Sequence, residues 1–493
     1  ISYTIERRCG GVDVIYRVEN PRSNSSSITL PDLMVEGLTF DSAEPLQRLR
    51  TKDVGNLVNL DSTTYVWEDG SYPQVYSPAL VLTDDLFAAG SSLLFPVLDY
   101  RQTVLPTLQM DTGNGEMKGT FRQRYAWPRE EGYPVDINLP PKKIAPGEIR
   151  DYTIALRFST KRYWLATLAP YKKYFKQLYH AGRVPQTADR RPIRSIMLAD
   201  SSYYDAVSNP RAFVTSLHLH DQGWTNFVPS FITTTQALGY DRTMLWLPSG
   251  RYGGGLNFPP QFMDFNAVMQ NTSSALHQFN SVGLNLGFWW GRSTQIPLFG
   301  SDPDWNPISL EKADPNNSEH VSFLTTQLSK ALAFNAKDIA LDYFVAMPLY
   351  QRYGWAATLR VLAPNTTFAG EGQQADVIHS RIANHHDTQR GSSFELPPGP
   401  DMLSNYLNPG AEIWLQLKSS SLQGVDRSKI QQLISWGYTP LLLYHHANID
   451  VRGLSLVVAQ CSDGLDNNGD GYVDYPFDTH CDKPDDITES ASP

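Results

Sequence analysis

The sequence predicts an N-terminal antiparallel β-sandwich over residues 1–160, followed by a (β/α)8 TIM-type barrel over residues 194–455 and a short acidic tail over residues 456–493. Three observations predict this order: alternating apolar and polar residues in the first part, short apolar strands separated by helical stretches in the second, and a cysteine-bracketed acidic segment at the end. A polar, basic, Pro-containing stretch at 183–194 marks the main boundary. We therefore assign residues 161–193 to a linker helix and a linker.

Short strand patterns separated by turn residues fill the first 160 residues. The even positions from Val12 to Val18 are apolar and alternate with more polar positions, which is typical of a half-buried strand. Residues 152–158 repeat this alternation after the turn that begins at Ala145. Many short strands with frequent turn signals predict a sandwich.

After residue 194 the pattern changes to short apolar runs with helical stretches between them. Eight strands alternating with helices over about 260 residues are what a (β/α)8 barrel needs. A doubly wound open sheet is the alternative, but no Gly-rich phosphate-binding loop follows the first run. The predicted strands are 195–199, 243–247, 284–290, 339–341, 367–370, 377–380, 413–417 and 440–443.

The composition describes a globular protein without a nucleic-acid-binding signature. Hydrophobic residues make up 41% and charged residues 19% of the chain. The net charge is 41 − 51 = −10, and residues 461–493, with nine acidic residues and one lysine, contribute −8 of it. No basic stripe remains to bind nucleic acid, and no apolar run approaches the ~18 residues of a membrane span. The aromatic fraction of 12% fits either sugar-stacking surfaces or a large core.

Two carboxylates follow neighbouring predicted strands directly. Asp342 ends the fourth strand and Glu371 the fifth. The C-terminal ends of barrel strands form the active site, and a facing pair of carboxylates is the usual machinery of glycoside hydrolysis. Gly370 and Gly372 would let a sugar ring approach Glu371 closely. The competing interpretation is that each carboxylate caps a helix or pairs with an arginine.

Other side chains at strand ends complete the predicted substrate pocket. Aromatic residues there either line the pocket or pack in the core, since barrel strands are buried on both faces. Asp200 could bind a sugar hydroxyl or cap a helix, and the arginines could hold an anionic substrate group or pair with the catalytic acids. The predicted substrate-binding residues are Asp200, Trp246, Trp289, Trp290, Arg292, Tyr343, Arg381 and His445, with Trp414 nearby.

Histidines suggest a second chemistry. His379, His385, His386 and Asp387 form one group, and residues 445–446 form another. Histidine and aspartate can bind zinc, which would make the chain a metal-dependent hydrolase or deacetylase. Their spacing matches no zinc signature and no HExxH is present, while the absence of a Gly-x-Ser-x-Gly elbow counts against a serine hydrolase.

The tail carries the most specific motif. Cys461 and Cys481 bracket it and are expected to form a disulfide, which implies a secreted or cell-surface location, while Cys9 is left over. Between the two cysteines, oxygen ligands and a sixth-position glycine follow the first half of an EF-hand-type loop, which predicts structural Ca²⁺ and no organic cofactor. The Glu expected at position twelve is replaced by Phe477. The predicted ligands are Asp466, Asn468, Asp470, Tyr472 through its carbonyl, Asp474 and Asp478, with Asp463 as a further substitute for the missing Glu.

These features resemble known families. The tail is similar to the Cys-x-Asp-Gly-x-Asp-Asn-Asp-Gly-Asp-Gly calcium segments of secreted and surface proteins from environmental bacteria, with Asn468 where Asp is usual. The layout resembles retaining α-glycosidases of the α-galactosidase clan and endo-α-N-acetylgalactosaminidases, which place a β-sandwich before the barrel. In several of those groups an Asp after strand four is the nucleophile and a Glu after strand five is the acid/base. The resemblance therefore implies these two roles for Asp342 and Glu371. In the α-galactosidase clan the acid is an Asp near strand six, where Asp376 and Asp387 stand.

The first hypothesis is therefore a glycoside hydrolase that acts on a carbohydrate substrate. A retaining enzyme would hold the two carboxyl groups about 5–5.5 Å apart, and an inverting one about 6.5–9.5 Å apart. The alternative is a non-catalytic surface or assembly protein that uses the barrel as a scaffold, because fold alone does not give function. A metal-dependent hydrolase is the third hypothesis.

Overall fold

A computed structural model gives the fold of most of the chain. It describes residues 1–29, 33–41, 46–51, 54–59, 72, 75–94, 96, 98, 108–112, 118–125, 143–179, 189–197, 221–246, 270–299, 307–387, 389–390, 393–394, 397–417, 425–443, 448–463 and 481.

The N-terminal part consists of antiparallel sheets, as predicted. A seven-stranded sheet has the order β1-β2-β12-β8-β7-β5-β6, and a three-stranded sheet has the order β4-β10-β9. The strands are β1 (Ser2–Arg8), β2 (Gly11–Glu19), β3 (Ile28–Thr29), β4 (Leu33–Asp41), β5 (Gln47–Arg50), β6 (Asn56–Asn59), β7 (Ala79–Thr83), β8 (Phe87–Leu94), β9 (Leu108–Thr112), β10 (Lys118–Tyr125), β11 (Lys143–Ile144) and β12 (Ile149–Thr160).

The long central strand β12 shows why this sheet forms. Ile154 lies opposite Val14 of β2 and Leu93 of β8, and all three side chains are buried. Alternate residues of each strand point to the same face, so the period-2 pattern places these apolar side chains together in the core.

A buried helical segment follows β12. A 3₁₀ turn, Lys161–Leu168, leads into α1, Ala169–Tyr179. Trp164 and Phe175 are almost fully buried. Gly90 of β8 has no side chain because a Cβ there would lie 2.0 Å from Thr167 Oγ1, and this close approach seats the turn on the sheet.

The second part is an eight-stranded parallel barrel with the order β19-β18-β15-β14-β13-β24-β23-β20. A parallel bridge between Ala369 and Ala383 joins β19 to the start of β20 and nearly closes the barrel. Its strands are β13 (Ile193–Met197), β14 (Arg242–Trp246), β15 (Asn285–Trp290), β18 (Asp338–Leu341), β19 (Thr367–Gly370), β20 (Asn384–Asp387), β23 (Ile413–Leu417) and β24 (Tyr438–Leu443).

Helices connect these strands. Among the described residues, no helix is both long and apolar enough to cross a membrane. The helices are α2 (Asp221–Ala237), α3 (Gln270–Ser281), α4 (Ser318–Leu332), α5 (Leu349–Leu362), α6 (Asp376–His379), α7 (Met402–Leu407) and α8 (Arg427–Ser435), and the short hairpins are β16 (Gln295–Phe299) with β17 (Pro307–Lys312) and β21 (Gln389–Arg390) with β22 (Ser393–Phe394).

The predicted sixth strand is wrong. Residues 377–380 fall in and just after helix α6, and the sixth barrel strand is β20. A stretch of only four residues cannot be assigned to helix or strand by periodicity, and all four residues of α6 are buried. The sequence of β20 is polar because its side chains hydrogen-bond inside the protein: Asn384 Oδ1, for example, accepts the N–H of Gln374 at 2.8 Å.

A buried ion network fills the N-terminal end of the barrel. Arg242 donates two hydrogen bonds to Asp338, at 3.0 and 2.7 Å, and one to Glu412 at 2.9 Å. Thr439 and Trp414 also donate to the same Glu412 oxygen, at 3.0 and 2.8 Å. One guanidinium thus links the starts of β14 and β18 to the residue before β23.

Replacing Arg242 with Met should destabilise the protein by about 3–5 kcal/mol, because two buried carboxylates would lose their cation. Arg452→Met removes an exposed ion pair with Asp450 and should change stability little. Thermal unfolding followed by circular dichroism compares the two variants. Equal midpoints would show that the buried network is not needed for stability.

A second buried polar cluster joins the barrel to the N-terminal part and to α1. Asp376 accepts hydrogen bonds from Tyr72 (2.8 Å) and Tyr171 (2.6 Å), and its N–H donates to the carbonyl of Tyr76 at 2.7 Å. The Tyr76 hydroxyl contacts His379 Nδ1 at 2.8 Å. Burial raises the pKa of Asp376 to about 7, although the tyrosine hydroxyls oppose that shift.

The raised pKa predicts how stability depends on pH. In the unfolded chain an Asp has a pKa of about 3.9. Between about pH 4 and 7 the folded state therefore holds a proton that the unfolded state has lost. The stabilisation from Asp376 is therefore complete below about pH 4 and is lost as the pH rises to 7. Thermal midpoints should fall less steeply over this range for Asp376→Asn than for the wild type. Parallel curves would contradict this linkage.

The disulfide predicted for the tail is present. Cys461 and Cys481 are bonded, with their Cα atoms 5.7 Å apart, and both are buried. Cys9 is a free, exposed cysteine in the β1–β2 turn.

Candidate active site

Asp342 and Glu371 lie beside each other at the mouth of the barrel. Each continues the ladder one residue past its strand: Asp342 N–H donates to the carbonyl of Trp290 at 2.9 Å, and Glu371 N–H donates to that of Leu341 at 2.8 Å. Both residues are partly exposed. The strand ends therefore bring the two predicted catalytic carboxylates together.

Backbone and indole N–H groups hold both carboxylates. Asp342 accepts from the backbone N–H of Arg292 at 2.8 Å and from Trp289 Nε1 at 3.2 Å. Glu371 Oε2 accepts from the backbone N–H of Tyr343 at 2.7 Å. Hydrogen bonds of this kind fix the orientation of both side chains.

The two residues that supply these backbone donors have left-handed conformations. Arg292 has φ = 42° and Tyr343 has φ = 58°, which costs a non-glycine residue about 1–3 kcal/mol each. Ser293 Oγ donates to the carbonyl of Asp342 at 2.9 Å, and Thr294 Oγ1 donates to that of Tyr343 at 3.1 Å. Backbone strain of this kind is concentrated at functional sites.

The surroundings of Asp342 shift its pKa in both directions. Burial raises the pKa of Asp342, and the hydrogen bonds from Arg292 and Trp289, the interaction with Glu371 and the Arg292 charge oppose that rise. Carboxyl groups that lie side by side do not both ionise easily, so neighbouring acids of this kind can take different protonation states.

Two stacked tryptophans form the wall beside Asp342. The rings of Trp246 and Trp289 lie 3.9 Å apart and nearly parallel, and the edge of His385 meets Trp289 with ring centres 5.4 Å apart. Trp289 is 1% exposed and Trp246 6%. Trp289 therefore contacts Asp342 from within the core and offers little surface for stacking on a sugar.

Hydrogen bonds from side chains fix the turn after Glu371. Gly372, with φ = 70°, donates its N–H to His385 Nδ1 at 3.2 Å. The Gln374 amide donates to the carbonyls of Glu371 and Gly372, at 2.8 and 3.1 Å. Sequence reasoning missed Gln374 and also Gln416, which contacts His385. The available signal for Gln416 was its position two residues after Trp414 on β23, because residues two apart on a strand point to the same face.

Comparisons with known proteins find similarity among solved structures. No family model matches the chain, and no curated protein matches it. Among solved structures, the α-N-acetylgalactosaminidase NagBb from Bifidobacterium bifidum bound to Gal-NHAc-DNJ aligns over 89% of this chain and 79% of its own, with 13% identity and a TM-score of 0.55. Its ligand-free form aligns over 91% and 82%, with 12% identity and a TM-score of 0.54. An α-galactosidase from Lactobacillus brevis aligns over 90% and 59%, with 10% identity and a TM-score of 0.40.

The chain shares the fold of NagBb. At 12–13% identity this likeness concerns the fold alone. It supports a sandwich-like N-terminal part followed by a TIM-type barrel.

Several predicted pocket residues lie elsewhere. Trp290 packs with the outer core behind the barrel wall, because it follows Trp289 on the strand and faces the opposite way. Arg381 donates to Tyr353 of α5 at 3.0 Å and stacks over its ring. Trp414 is buried in the barrel interior. Arg292 and Tyr343 stay at the site, while Asp200, His445 and residue 446 lie outside the described residues.

The two other candidate acids and the histidines can also be placed. Asp376 is buried in the polar cluster with Tyr72 and Tyr171, whereas the Asp387 side chain is not among those described. His379 contacts Tyr76, His385 contacts Gly372, and the ring of His386 lies 3.7 Å from Asp401. Within the described part of the chain, no three metal-ligating side chains come together.

Proposed function

We propose that this protein is a retaining α-glycosidase in which Asp342 is the nucleophile and Glu371 the acid/base. The observation that carries the proposal is the pair of carboxyl groups on adjacent strand ends, each fixed by a backbone N–H from a strained residue. The shared fold with NagBb supports a glycosidase and makes α-N-acetylgalactosaminides the first substrates to test.

In the proposed reaction the two carboxyls have different tasks. Glu371 gives its proton to the glycosidic oxygen as the bond from that oxygen to the anomeric carbon breaks, and Asp342 attacks the carbon to form a glycosyl ester. Water then attacks the same carbon while Glu371 takes a proton from it, and Asp342 leaves as a carboxylate. Each of these two displacements inverts the anomeric carbon, so the product retains the anomeric configuration of the substrate. The two N–H donors on Asp342 keep it ionised and ready to attack.

Aryl glycosides separate the two roles. Asp342→Asn should abolish turnover of every substrate. Glu371→Gln should lower kcat/KM by about 10²–10⁴ for glycosides with basic leaving groups, and much less for 4-nitrophenyl and dinitrophenyl glycosides, whose leaving groups need little protonation. Azide should rescue this variant by giving a glycosyl azide of retained configuration.

The matched control is Glu319→Gln, an exposed carboxylate in the first turn of α4, which should behave as wild type. NMR of the first product gives the stereochemistry, and initial release of the β-anomer from an α-glycoside would indicate inversion. A wild-type protein that hydrolyses no α-glycoside in a broad aryl-glycoside screen would favour the non-catalytic scaffold.

We also propose that the tail binds structural Ca²⁺ through the ligand set predicted from its spacing. The ligands Asp466 to Asp478 lie outside the described residues, so the proposal depends on the EF-hand-type pattern and on the disulfide that closes the loop. Such a disulfide persists in oxidising compartments, which supports a secreted or cell-surface location.

Removing calcium should lower thermal stability. Excess EDTA is expected to reduce the thermal midpoint, and added CaCl₂ should restore it, because an ion that binds only the folded loop stabilises it. Asp470→Ala should lose this response, whereas Asp485→Asn, which lies in the tail beyond the loop, should keep it. Identical midpoints of the wild type with and without calcium would contradict the proposal.

A further inference from the structure

The peptide unit between Glu371 and Gly372 is bound at both of its polar ends. Its carbonyl, that of Glu371, accepts from Gln374 Nε2 at 2.8 Å, and its N–H, that of Gly372, donates to His385 Nδ1 at 3.2 Å. Gln374 is held in turn by the buried Arg352, which donates to its Oε1 at 2.9 Å. Rotation of this peptide would turn the Glu371 side chain, so its two partners control where the carboxyl group points.

The hydrogen bonds of His385 define its protonation state. A backbone N–H can only donate, so Nδ1 must present its lone pair to Gly372. Nε2 lies 2.8 Å from Gln416 Oε1, an acceptor, so Nε2 carries the hydrogen. The ring is 1% exposed and neutral in this arrangement. A hydrogen on Nδ1 would instead face the N–H of Gly372 and push the turn away.

The same ring touches the other half of the site. Its edge packs against Trp289, whose indole N–H holds Asp342. His385 therefore contacts Trp289, which binds Asp342, and Gly372, which follows Glu371. Only the contact with Gly372 is a hydrogen bond. Loss of that hydrogen bond should thus affect proton donation by Glu371 more than nucleophilic attack by Asp342.

We propose that His385, as the neutral Nε2–H tautomer, is a positioning residue for the acid/base Glu371, acting through the N–H of Gly372. This role rests on the proposed glycosidase function and assigns the residue no contact with substrate. It replaces the zinc-ligand hypothesis for His385 with one in which the nitrogen lone pair accepts a backbone hydrogen bond. In metal sites, outer partners that orient a ligand are typically worth about 10–100-fold in activity, and we expect a loss of the same order here.

Two substitutions separate the acceptor from the rest of the ring. The Asn amide can place an oxygen near the position of Nδ1, whereas the longer Gln amide reaches the position of Nε2. His385→Asn therefore keeps an acceptor for Gly372, and His385→Gln keeps the contact with Gln416 but loses that acceptor. Both variants lose the aromatic edge against Trp289, so their comparison isolates the hydrogen bond to the turn.

The experiment measures kcat and KM of both variants on aryl α-glycosides of graded leaving-group pKa. His385→Gln should lose about 10–100-fold in kcat for basic leaving groups and little for dinitrophenolate, with KM nearly unchanged, while His385→Asn should stay within about threefold of wild type. Thermal midpoints confirm that each variant is folded. If His385→Gln is not folded, Gln416→Leu, which removes the partner that holds the tautomer, should show the same leaving-group dependence.

Other outcomes would overturn the role. Equal losses of activity in the two His385 variants, or a loss that is the same for every leaving group, would show that His385 acts only in packing. If the wild type is active in that case, the proposed function still stands. A wild type that cleaves no α-glycoside would remove the proposed function and this role with it.

Discussion

The ion pair between Arg242 and Asp338 sets the register of the strand that carries Asp342. Asp338, Ala340 and Asp342 alternate along β18 and its extension, so all three face the barrel interior, while Ile339 and Leu341 pack outward. The guanidinium fixes Asp338 at the base of the barrel with two hydrogen bonds. Because a one-residue slip would turn Asp342 out of the mouth, the buried charge at one end of the strand determines the position of the carboxylate at the other.

The barrel interior combines large and small side chains. Three tryptophans, Trp246, Trp289 and Trp414, point inward from β14, β15 and β23. Three alanines, Ala340, Ala369 and Ala383, point inward from β18, β19 and the residue before β20. Asp342 and Glu371 each come two residues after one of these alanines, so they continue the inward face of β18 and β19. The indole of Trp289 supports Asp342 from the neighbouring strand through its hydrogen bond.

The parts that could be predicted from sequence are those in which an apolar pattern ends abruptly. Strands β18 and β19 are short apolar runs terminated by a carboxylate, and this contrast identified Asp342 and Glu371 together with their neighbouring positions. Strand β20 could not be found in this way, since its Asn-His-His-Asp sequence forms hydrogen bonds across distant parts of the chain. Gln374 and the left-handed conformation of Tyr343 were equally inaccessible, because each depends on long-range contacts that leave no local periodicity.

The two proposed catalytic carboxylates are fixed by different parts of the chain. The retaining mechanism needs the carboxyl groups about 5–5.5 Å apart, so that the anomeric carbon can lie between them. Asp342 is anchored by Trp289 and by the N–H of Arg292, and the backbone of Glu371 is bound on both sides of its peptide. Adjustment of the separation is therefore confined to rotation of the Glu371 side chain, whose contact with the N–H of Tyr343 is a single hydrogen bond. The nucleophile is held by two N–H donors and the acid/base by one, so the acid/base is the group that can follow the substrate.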